Sequence, residues 1–157
     1  MVELRAVATD DVPRFFENQL DPEALAMAAW PSRDHAAHVA HWDMIFADPT
    51  IIARTIVADG SVAGDIVSWS EAEHRAVGYW LDRRFWGRGI ATRALAAFLE
   101  LDRERPLEAH AARANLGSIR VLEKCGFVRI REEVAQDGVE EVLFRLEART
   151  TADMAPP

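Results

Sequence analysis

The sequence predicts an α+β domain, and three observations support that prediction. Its 157 residues, 50% of them hydrophobic, suit one domain with a substantial core. The turn signals Asp59-Gly60 and Asp137-Gly138 each lie between two strand-forming runs, which predicts two β-hairpins. Apolar residues at helical spacing predict helices between other strands. Because no repeat or linker interrupts the pattern, we expect one domain over residues 1–148 and a disordered tail over residues 149–157.

The first half of the chain is predicted to form a strand, then helices, then three further strands. Capping side chains at Thr9-Asp10-Asp11, followed by Pro13 in the first turn, favour a helix start. Pro31 and Pro49 end the second and third helices. The predicted elements, in order, are a strand over Val2–Val7, a helix after Asp11, helices over Pro22–Trp30 and from Ser32 to Asp48, and strands over Ile51–Ala58, Val62–Trp69 and Arg75–Leu81.

The second half of the chain is predicted to combine helices with the last strands of the sheet. A long helix follows the segment WGRGIA and ends before Pro106. Gly126 is expected in the left-handed conformation that closes the last helix. The predicted elements, in order, are a helix carrying Ile90 to Leu101, a strand over Leu107–Ala112, a helix over Asn115–Cys125, and strands over Phe127–Glu133 and Val139–Leu146.

The composition excludes several classes of protein. The formal net charge of −8 argues against nucleic-acid binding, which needs a basic face, and mildly favours cationic partners. The single cysteine, Cys125, allows no internal disulfide framework and is expected at a buried helix end. The sequence has no signal-peptide core and no apolar run long enough to span a bilayer. We therefore expect a cytoplasmic protein without a membrane partner, and leave its oligomeric state open between monomer and homodimer.

The segment WGRGIA, residues 86–91, places two glycines between a predicted strand and a helix start. Backbone N–H groups at such a position, together with the helix dipole, form an anion site whose usual ligand is phosphate. The dinucleotide fingerprint G-x-G-x-x-G would need glycine where the chain has Thr92, and the P-loop signature is absent. A turn that needs glycines only for its geometry accounts for the segment equally well.

A second motif, NLGSIRVLEKCGF at residues 115–127, follows the first. Together with WGRGIATRAL, and with VAGDIVSW and VGYWLDRRF before it, this motif resembles the GNAT superfamily of acetyl-CoA-dependent N-acetyltransferases. Within it, the sequence is most similar to the RimJ/RimL branch of ribosomal-protein N-terminal acetyltransferases, strongly so from Val62 to Phe127. The resemblance implies a mixed, mostly antiparallel sheet of about six or seven strands flanked by helices, with splayed fourth and fifth strands. It also implies acetyl-CoA as cosubstrate, an amine acceptor and no metal.

The resemblance assigns roles to residues in three segments. The backbone N–H groups of Gly87 to Thr92 would hold the pyrophosphate of coenzyme A, and the backbone of Tyr79 to Leu81 would pair with its pantetheine arm. Asn115 would bind the pantetheine chain, and Ser118 would reach the sulfur. The implied cofactor-binding residues are Tyr79, Trp80, Leu81, Trp86, Gly87, Arg88, Gly89, Ile90, Ala91, Thr92, Asn115 and Ser118.

The chain departs from the family pattern at Leu122, where many members carry the tyrosine that protonates the leaving thiolate. The hydroxyl of Ser118 is the remaining candidate for the catalytic acid. Both motif residues also have a purely local explanation, since Asn115 can cap the helix and Ser118 can occupy its first turn.

The acceptor amine must be neutral to attack the thioester. A lysine-like amine has a pKa of about 10.4 and needs a positioned base, whereas a peptide α-amine at about 7.7–8.0 needs little help. Asp65, Glu71, Glu73 and His74 lie near the expected reaction site. None stands out as a base, and Glu71–His74 reads as a solvated turn. We therefore expect acetyl transfer to a primary amine, preferably the α-amine of a peptide or protein, by direct attack in a ternary complex.

Two other functions stay open for this sequence. The acceptor could be a small-molecule amine such as an antibiotic or polyamine, or the chain could sense acyl-CoA without catalysis. Trp30 and Trp42 lie in the segment that builds the acceptor side in the family. His35, His38 and His41 share a helix there, but their spacing suits a surface or pocket-lining helix better than a metal site.

Overall fold

The computed structural model describes residues 1–27 and 33–148, which form a seven-stranded sheet with helices on both of its faces. The strands are β1 Val2–Ala6, β2 Ile52–Ala58, β3 Ser61–Ser70, β4 Arg75–Leu81, β5 Leu107–Ala112, β6 Val128–Val134 and β7 Glu140–Leu146. The helices are α1 Val12–Asn18, α2 Pro22–Met27, α3 His35–Ala47, α4 Ile90–Leu101 and α5 Leu116–Lys124, with 3₁₀ turns at Thr9–Asp11 and Arg83–Phe85. The sheet order is β1-β2-β3-β4-β5-β7-β6, and only the β4–β5 pair is parallel.

The α+β prediction and the mixed, mostly antiparallel sheet are confirmed. The predicted strand boundaries agree with the structure to within one residue. The third helix begins at His35 rather than at Ser32, because the Asp34 side chain accepts a hydrogen bond from the Ala37 N–H at 2.8 Å and caps the helix there. Ser32, Pro31 and Trp30 lie outside the described residues, as does the expected tail over residues 149–157. None of the helices in the described ranges has the length and apolar character needed to cross a membrane.

The two faces of the sheet bury separate apolar cores. Helices α4 and α5 cover one face, where Phe98 is fully buried. Helices α1 and α3 cover the other face, where the rings of Phe15 and Trp42 pack with their centroids 5.0 Å apart. The alternation of side chains along a strand separates the two sets: Ile66 of β3 belongs to the first core, and Val67 packs against the second.

Strands β3 and β4 approach each other closely at Gly64. A Cβ atom at this position would lie 2.0 Å from the carbonyl oxygen of Trp80, which is too close for any side chain. Gly64 therefore permits the pairing that sets the next residue, Asp65, directly opposite Trp80.

Strands β4 and β5 pair only at their first residues. Arg75 lies opposite Leu107 and Ala76 lies opposite Glu108, and no later residues of the two strands pair within the part of the chain that the structure describes. The strands separate beyond this point, so the expected splaying of the fourth and fifth strands is confirmed. The gap between them is where a ligand can enter the sheet.

A buried polar cluster holds the paired end of β4 and β5. Arg75 Nε and Ser68 Oγ both donate hydrogen bonds to Asp102 Oδ2 at 2.5 Å, and Arg75 Nη2 donates to the Thr50 carbonyl at 2.8 Å. Burial disfavours the charged form of Asp102, but the hydrogen bonds from Ser68 and Arg75 outweigh it and hold the pKa of this carboxyl below its usual value. Because Asp102 directly follows α4, the cluster joins β3, β4 and α4.

Replacing Asp102 with Asn should lower the free energy of unfolding by about 3–5 kcal/mol, because the Arg75 guanidinium stays buried without its counter-ion. Urea denaturation measures this loss. Glu100→Gln is the matched control, since Glu100 pairs with Arg103 at the surface, where the two side chains are 73% and 77% exposed. Such exposed pairs contribute about 0–1 kcal/mol. Equal losses in the two variants would show that the buried cluster does not hold the sheet together.

Candidate active site

A cavity of about 1010 Å³ passes through the gap between β4 and β5. On one face of the sheet, its wall includes the loop between β4 and α4 and the first turns of α5. On the other face, its wall includes residues of α1 and α3. A long ligand entering from the loop can therefore meet a second ligand inside the sheet.

The loop before α4 forms a cradle of backbone N–H groups at one end of this cavity. Gly87 and Gly89 have left-handed backbone conformations, with φ of +74° and +73°, and Gly89 is the N-cap of α4. A Cβ atom at either position would meet no atom within 4 Å, so the space beside both glycines is open to a ligand. Gly87, Gly89, Ile90, Ala91 and Thr92 all line the cavity. At the N-terminus of a 12-residue helix, this geometry fits an anion such as a pyrophosphate.

Trp86 and Arg88 take different positions beside the loop. The indole Nε1 of Trp86 donates to the Leu81 carbonyl at 2.9 Å, which fastens the loop to the end of β4, and the ring lines the cavity. The Arg88 guanidinium instead pairs with Asp59 in the β2–β3 turn and lies 5.7 Å from the ring centroid of Phe85. The structure therefore does not bring the Arg88 side chain into the cavity wall with the other predicted residues.

Tyr79, Trp80 and Leu81 line the cavity where β4 has separated from β5. One edge of this segment pairs with β3. The other edge has no strand partner within the described ranges, so it can pair with an extended ligand as an added strand would. These three residues lie where the resemblance predicts contact with the pantetheine arm.

Asn115 and Ser118 lie together at the start of α5. The Asn115 Oδ1 accepts a hydrogen bond from the Ser118 N–H at 3.1 Å, so the capping explanation of Asn115 is confirmed. Both residues line the cavity, which leaves their predicted contacts with coenzyme A sterically open.

The hydroxyl of Ser118 meets the phenol of Tyr79 across the gap. The two oxygens are 2.7 Å apart and share a hydrogen bond. Burial raises the pKa of Tyr79 to about 12, although the hydrogen bond with Ser118 acts in the opposite direction, so the phenol stays protonated near neutral pH. The only tyrosine of the sequence thus supplies from β4 a phenol that the family pattern places at position 122. A motif search along α5 misses it because the contact joins two separate elements.

Asp65 lies on the cavity wall at the face covered by α1 and α3. Its carboxylate accepts no hydrogen bond and has no ion-pair partner among the residues that the structure describes. Burial raises the pKa of Asp65 to about 7, and the nearby charge of Arg33 lowers it only in part. From the sequence, Asp65 was one of four candidate bases and did not stand out among them. The distinguishing signal was its place in the middle of an otherwise apolar strand, VAGDIV.

The turn Glu71–His74 is present but is not simply solvated, contrary to expectation. The Glu71 N–H donates to the His74 carbonyl at 2.8 Å and closes the turn. The His74 Nε2 lies 3.0 Å from a Glu71 carboxylate oxygen and 2.9 Å from the buried Glu108. Arg145 binds the second oxygen of Glu108 at 2.6 Å. These groups are engaged with one another, and Glu73 is exposed, so none of them is a free base inside the cavity.

The histidines of α3 have structural and pocket-lining positions. His38 is buried, with its Nε2 3.0 Å from the Val12 carbonyl, and burial lowers its pKa. His41 lines the cavity, where burial lowers its pKa to about 4, so the ring is neutral near neutral pH. Across the described ranges, no group of three or more His, Cys, Asp or Glu residues could hold a metal ion.

Cys125 lies at the end of α5 as predicted, but it is half-buried rather than buried, and Trp42 lies in the core as predicted. The Cys125 Sγ lies 3.6 Å from the Thr92 carbonyl, and burial raises the pKa of this half-buried thiol, which disfavours its thiolate form. Trp42 is 4% exposed in the second core and contributes to the cavity wall. Trp30, the other tryptophan expected on the acceptor side, lies outside the described residues.

The sequence matches the family model described as Acetyltransferase (GNAT) domain over residues 2–128. The chain belongs to the GNAT acetyltransferase family. Membership explains the glycine loop, the unpaired edge of β4 and the start of α5 as parts of one site.

Individual relatives of this GNAT acetyltransferase include enzymes with different acceptors. It is 44% identical over 73 residues to the probable N-acetyltransferase YjcK of Bacillus subtilis (strain 168), a match that covers 41% of the chain and only 40% of the relative's length. It superposes on the RimL ribosomal L7/L12 alpha-N-protein acetyltransferase bound to coenzyme A with a TM-score of 0.77 and 18% identity, covering 93% of each chain. It superposes on the aminoglycoside acetyltransferase AAC(6')-Ib bound to coenzyme A with a TM-score of 0.76 and 22% identity, covering 94% and 95%. At these identities the superpositions establish the fold, and the RimJ/RimL branch stays a prediction.

Replacing Gly89 with Asp should weaken coenzyme A binding to this GNAT domain by at least tenfold. Like charges about 4 Å apart near a protein surface repel by about 4 kcal/mol, and the new side chain would occupy the cradle. Isothermal titration calorimetry measures the affinity. Gly138→Asp is the matched control, because Gly138 also has a positive φ (+86°) and open space, in the β6–β7 turn. Unchanged coenzyme A affinity in a folded Gly89→Asp variant would refute the pyrophosphate site.

Proposed function

We propose that this GNAT domain transfers the acetyl group of acetyl-CoA to the α-amine of a peptide or protein, by direct attack with both substrates bound. The charge of the cavity wall carries this proposal. Asp48 and Asp65 are the acidic residues of the wall in the described ranges. Asp48 already accepts hydrogen bonds from the Thr50 hydroxyl and N–H, at 2.6 and 2.9 Å. Both bonds reach Asp48 Oδ1 and leave its charge in place, so Asp65 differs in being the wall carboxylate that accepts no hydrogen bond in the described ranges.

A single wall carboxylate without a hydrogen-bond partner suits an acceptor with a single ammonium group. Polyamines and aminoglycosides carry several ammonium groups, and each one that leaves water inside the cavity needs a partner. The wall also carries the cationic side chains of Arg33, Arg120 and Lys124, which would repel such polycations. A peptide terminus presents one ammonium group, and the apolar surfaces of Trp42 and Trp80 can receive its first side chain.

The donor half of the cavity suits acetyl-CoA. The backbone from Gly87 to Thr92 would hold the pyrophosphate, and the unpaired edge of β4 would pair with the pantetheine arm. This path brings the thioester toward the hydroxyls of Ser118 and Tyr79. The structures of RimL and AAC(6')-Ib, which share the fold, both contain coenzyme A, which supports this arrangement.

The hydroxyl pair provides the acid for the departing thiolate in this proposal. Ser118 donates to the sulfur and accepts a hydrogen bond from Tyr79, whose oxygen is 2.7 Å away. The protonated phenol also weakens the case for an acyl-CoA sensor, which rested on the absence of tyrosine at position 122. The attacking nitrogen then loses its second proton, which replaces the proton that Ser118 delivered to the sulfur. The hydroxyls of Ser118 and Tyr79 therefore end the reaction in their starting protonation state.

A panel of acceptors tests the proposed function. Peptides with free N-termini, spermidine and kanamycin are each incubated with the enzyme and acetyl-CoA, and release of the coenzyme A thiol is followed. The best peptide should show a higher kcat/KM than spermidine or kanamycin, because one wall carboxylate in the described ranges, Asp65, lacks a hydrogen-bond partner. The same peptide with its α-amine blocked is the control and should be inert. Preference for a polyamine or aminoglycoside over every peptide would overturn the acceptor class.

Removing the hydroxyl of Ser118 tests the acid. Ser118→Ala should lower kcat by roughly 10²–10⁴-fold with little change in the acetyl-CoA Kd. Tyr79→Phe should lower kcat in the same direction, and the double variant should lose less than the sum of the two, because the hydroxyls act as a unit. Ser61→Ala, at the exposed start of β3, controls for serine removal. Full turnover combined with reduced stability would show that Ser118 only shapes the helix start.

A further inference from the structure

Asp65 is a carboxylate that nothing in the described part of the chain satisfies. The sheet sets it directly opposite Trp80 on β4 and opposite Thr55 on β2. The Thr55 hydroxyl donates to Asp11 at 2.8 Å and not to Asp65. A partly buried carboxylate that faces a largely apolar wall loses hydration without gaining a hydrogen bond, which destabilises the fold. Its presence there needs an explanation other than stability.

A second unsatisfied group lies beside Asp65. The indole Nε1 of Trp80 is buried and donates to no acceptor within the described ranges. Two residues that face each other across β3 and β4 therefore leave an anionic acceptor and a buried neutral donor unpaired. Unsatisfied polar groups in the wall of a cavity are typical of a functional site.

We infer that Asp65 binds the ammonium group of the acceptor and takes the proton whose loss makes the amine nucleophilic. The inference rests on the proposed function in requiring an amine acceptor in this cavity. One proton passes from the ammonium nitrogen to the carboxylate, which becomes a carboxylic acid. The neutral nitrogen then forms a bond with the thioester carbonyl carbon, the carbon–sulfur bond breaks, and the second nitrogen proton balances the proton that reaches the sulfur. Asp65 returns its proton to water before the next turnover.

The charged groups around Asp65 suit this proton transfer. Burial raises the pKa of Asp65 to about 7, close to the pKa of about 7.7–8.0 of a peptide α-amine. Arg33, in the segment before α3, acts against burial and lowers the pKa of Asp65 in part. His41 on α3 adds no charge, because burial lowers its pKa to about 4. Asp11, which the Thr55 hydroxyl contacts on the same face, is paired with Arg5 at 2.6 Å.

The indole N–H of Trp80 matches the next polar group of a peptide. The first carbonyl group of a peptide is attached to the same carbon atom as its α-amine. This carbonyl oxygen is a suitable acceptor for the indole N–H on the facing strand, which is buried and becomes reachable only if the ring moves.

Asp65→Asn removes the charge while keeping the size of the side chain. With the best amine of the acceptor panel, kcat should fall by roughly 10²–10⁴-fold, and the acetyl-CoA Kd should stay unchanged. In the wild type, kcat/KM should fall as the pH drops below about 7, because Asp65 is then protonated. In the variant this acid limb should instead follow the acceptor's own pKa, about 7.7–8.0 for a peptide. Asp43→Asn removes an exposed carboxylate from α3, outside the cavity wall, and should leave both profiles unchanged.

Thermal unfolding separates this role from a structural one. The folded state raises the pKa of Asp65, so it binds more protons than the unfolded chain between about pH 4 and pH 7. The carboxylate therefore costs stability as the pH rises through this range, and Asp65→Asn should unfold at the same or a higher temperature than the wild type at pH 8. A structural role would lower the unfolding temperature instead.

Wild-type kcat and an unchanged acid limb in folded Asp65→Asn would overturn the inference. Failure of the proposed function has a different signature, in which a small amine is acetylated and no peptide is. In that case the wild type and Asp65→Asn are compared with the small amine as acceptor. A loss of kcat and a shift of the acid limb of the pH profile would then support the role of Asp65, and their absence would overturn it.

Discussion

The buried ion pair between Arg75 and Asp102 fixes where the sheet is closed and therefore where it opens. Arg75 is the first residue of β4, and its partner lies at the end of α4, so the pair fastens the start of the β4–β5 pairing to a helix on one face. Neither charge can be removed alone without leaving the other buried and unpaired. With this end held, the remaining length of β4 can leave β5 without splitting the sheet.

The alternation of side chains along β4 distributes the chemistry over the two faces of the opening. Tyr79 packs toward the core formed with α4 and α5, where it meets Ser118. Trp80, the next residue, points to the other face, where it lies opposite Asp65. In the proposed mechanism, two neighbouring residues of one strand thus lie beside the departing sulfur on one side and the arriving amine on the other. A single extended segment can contribute to both because successive side chains of a strand point in opposite directions.

The parts of this site that lie within one stretch of sequence were predictable, and those that join separate stretches were not. The left-handed glycines of the loop and the capping side chain of Asn115 depend on their immediate neighbours, and both are where the sequence indicates. The contact between Tyr79 and Ser118 depends on how far β4 lies from α5, which no local pattern encodes. The same applies to His74, whose turn was recognised while its contact with Glu108 on β5 was not. The place of Asp65 in the cavity wall could not be predicted either, because the sequence does not show which face of β3 borders the cavity.

Arg88 has a distant partner that no local pattern reveals. An arginine inside an anion-binding loop is a natural phosphate ligand, and its position alone supports that interpretation. In the structure Asp59, a residue of the β2–β3 turn, engages its guanidinium, and both side chains are about half exposed. Contact between Arg88 and coenzyme A therefore stays a prediction, while the helix start provides backbone N–H groups whatever the side chain at position 88.

The proposed chemistry also depends on Gly64, a residue that does not take part in it. Its missing side chain lets the backbone of β3 lie against the carbonyl of Trp80, and any Cβ there would force the two strands apart. Such a displacement would move Asp65 away from the gap between β4 and β5, although no residue of the proposed site would have been replaced. In a saturation mutagenesis library, position 64 should therefore appear as intolerant as a functional residue, although its own atoms contact neither substrate. The position of the Asp65 carboxylate therefore depends on the absence of a side chain at Gly64, and the two residues can be expected to be retained together.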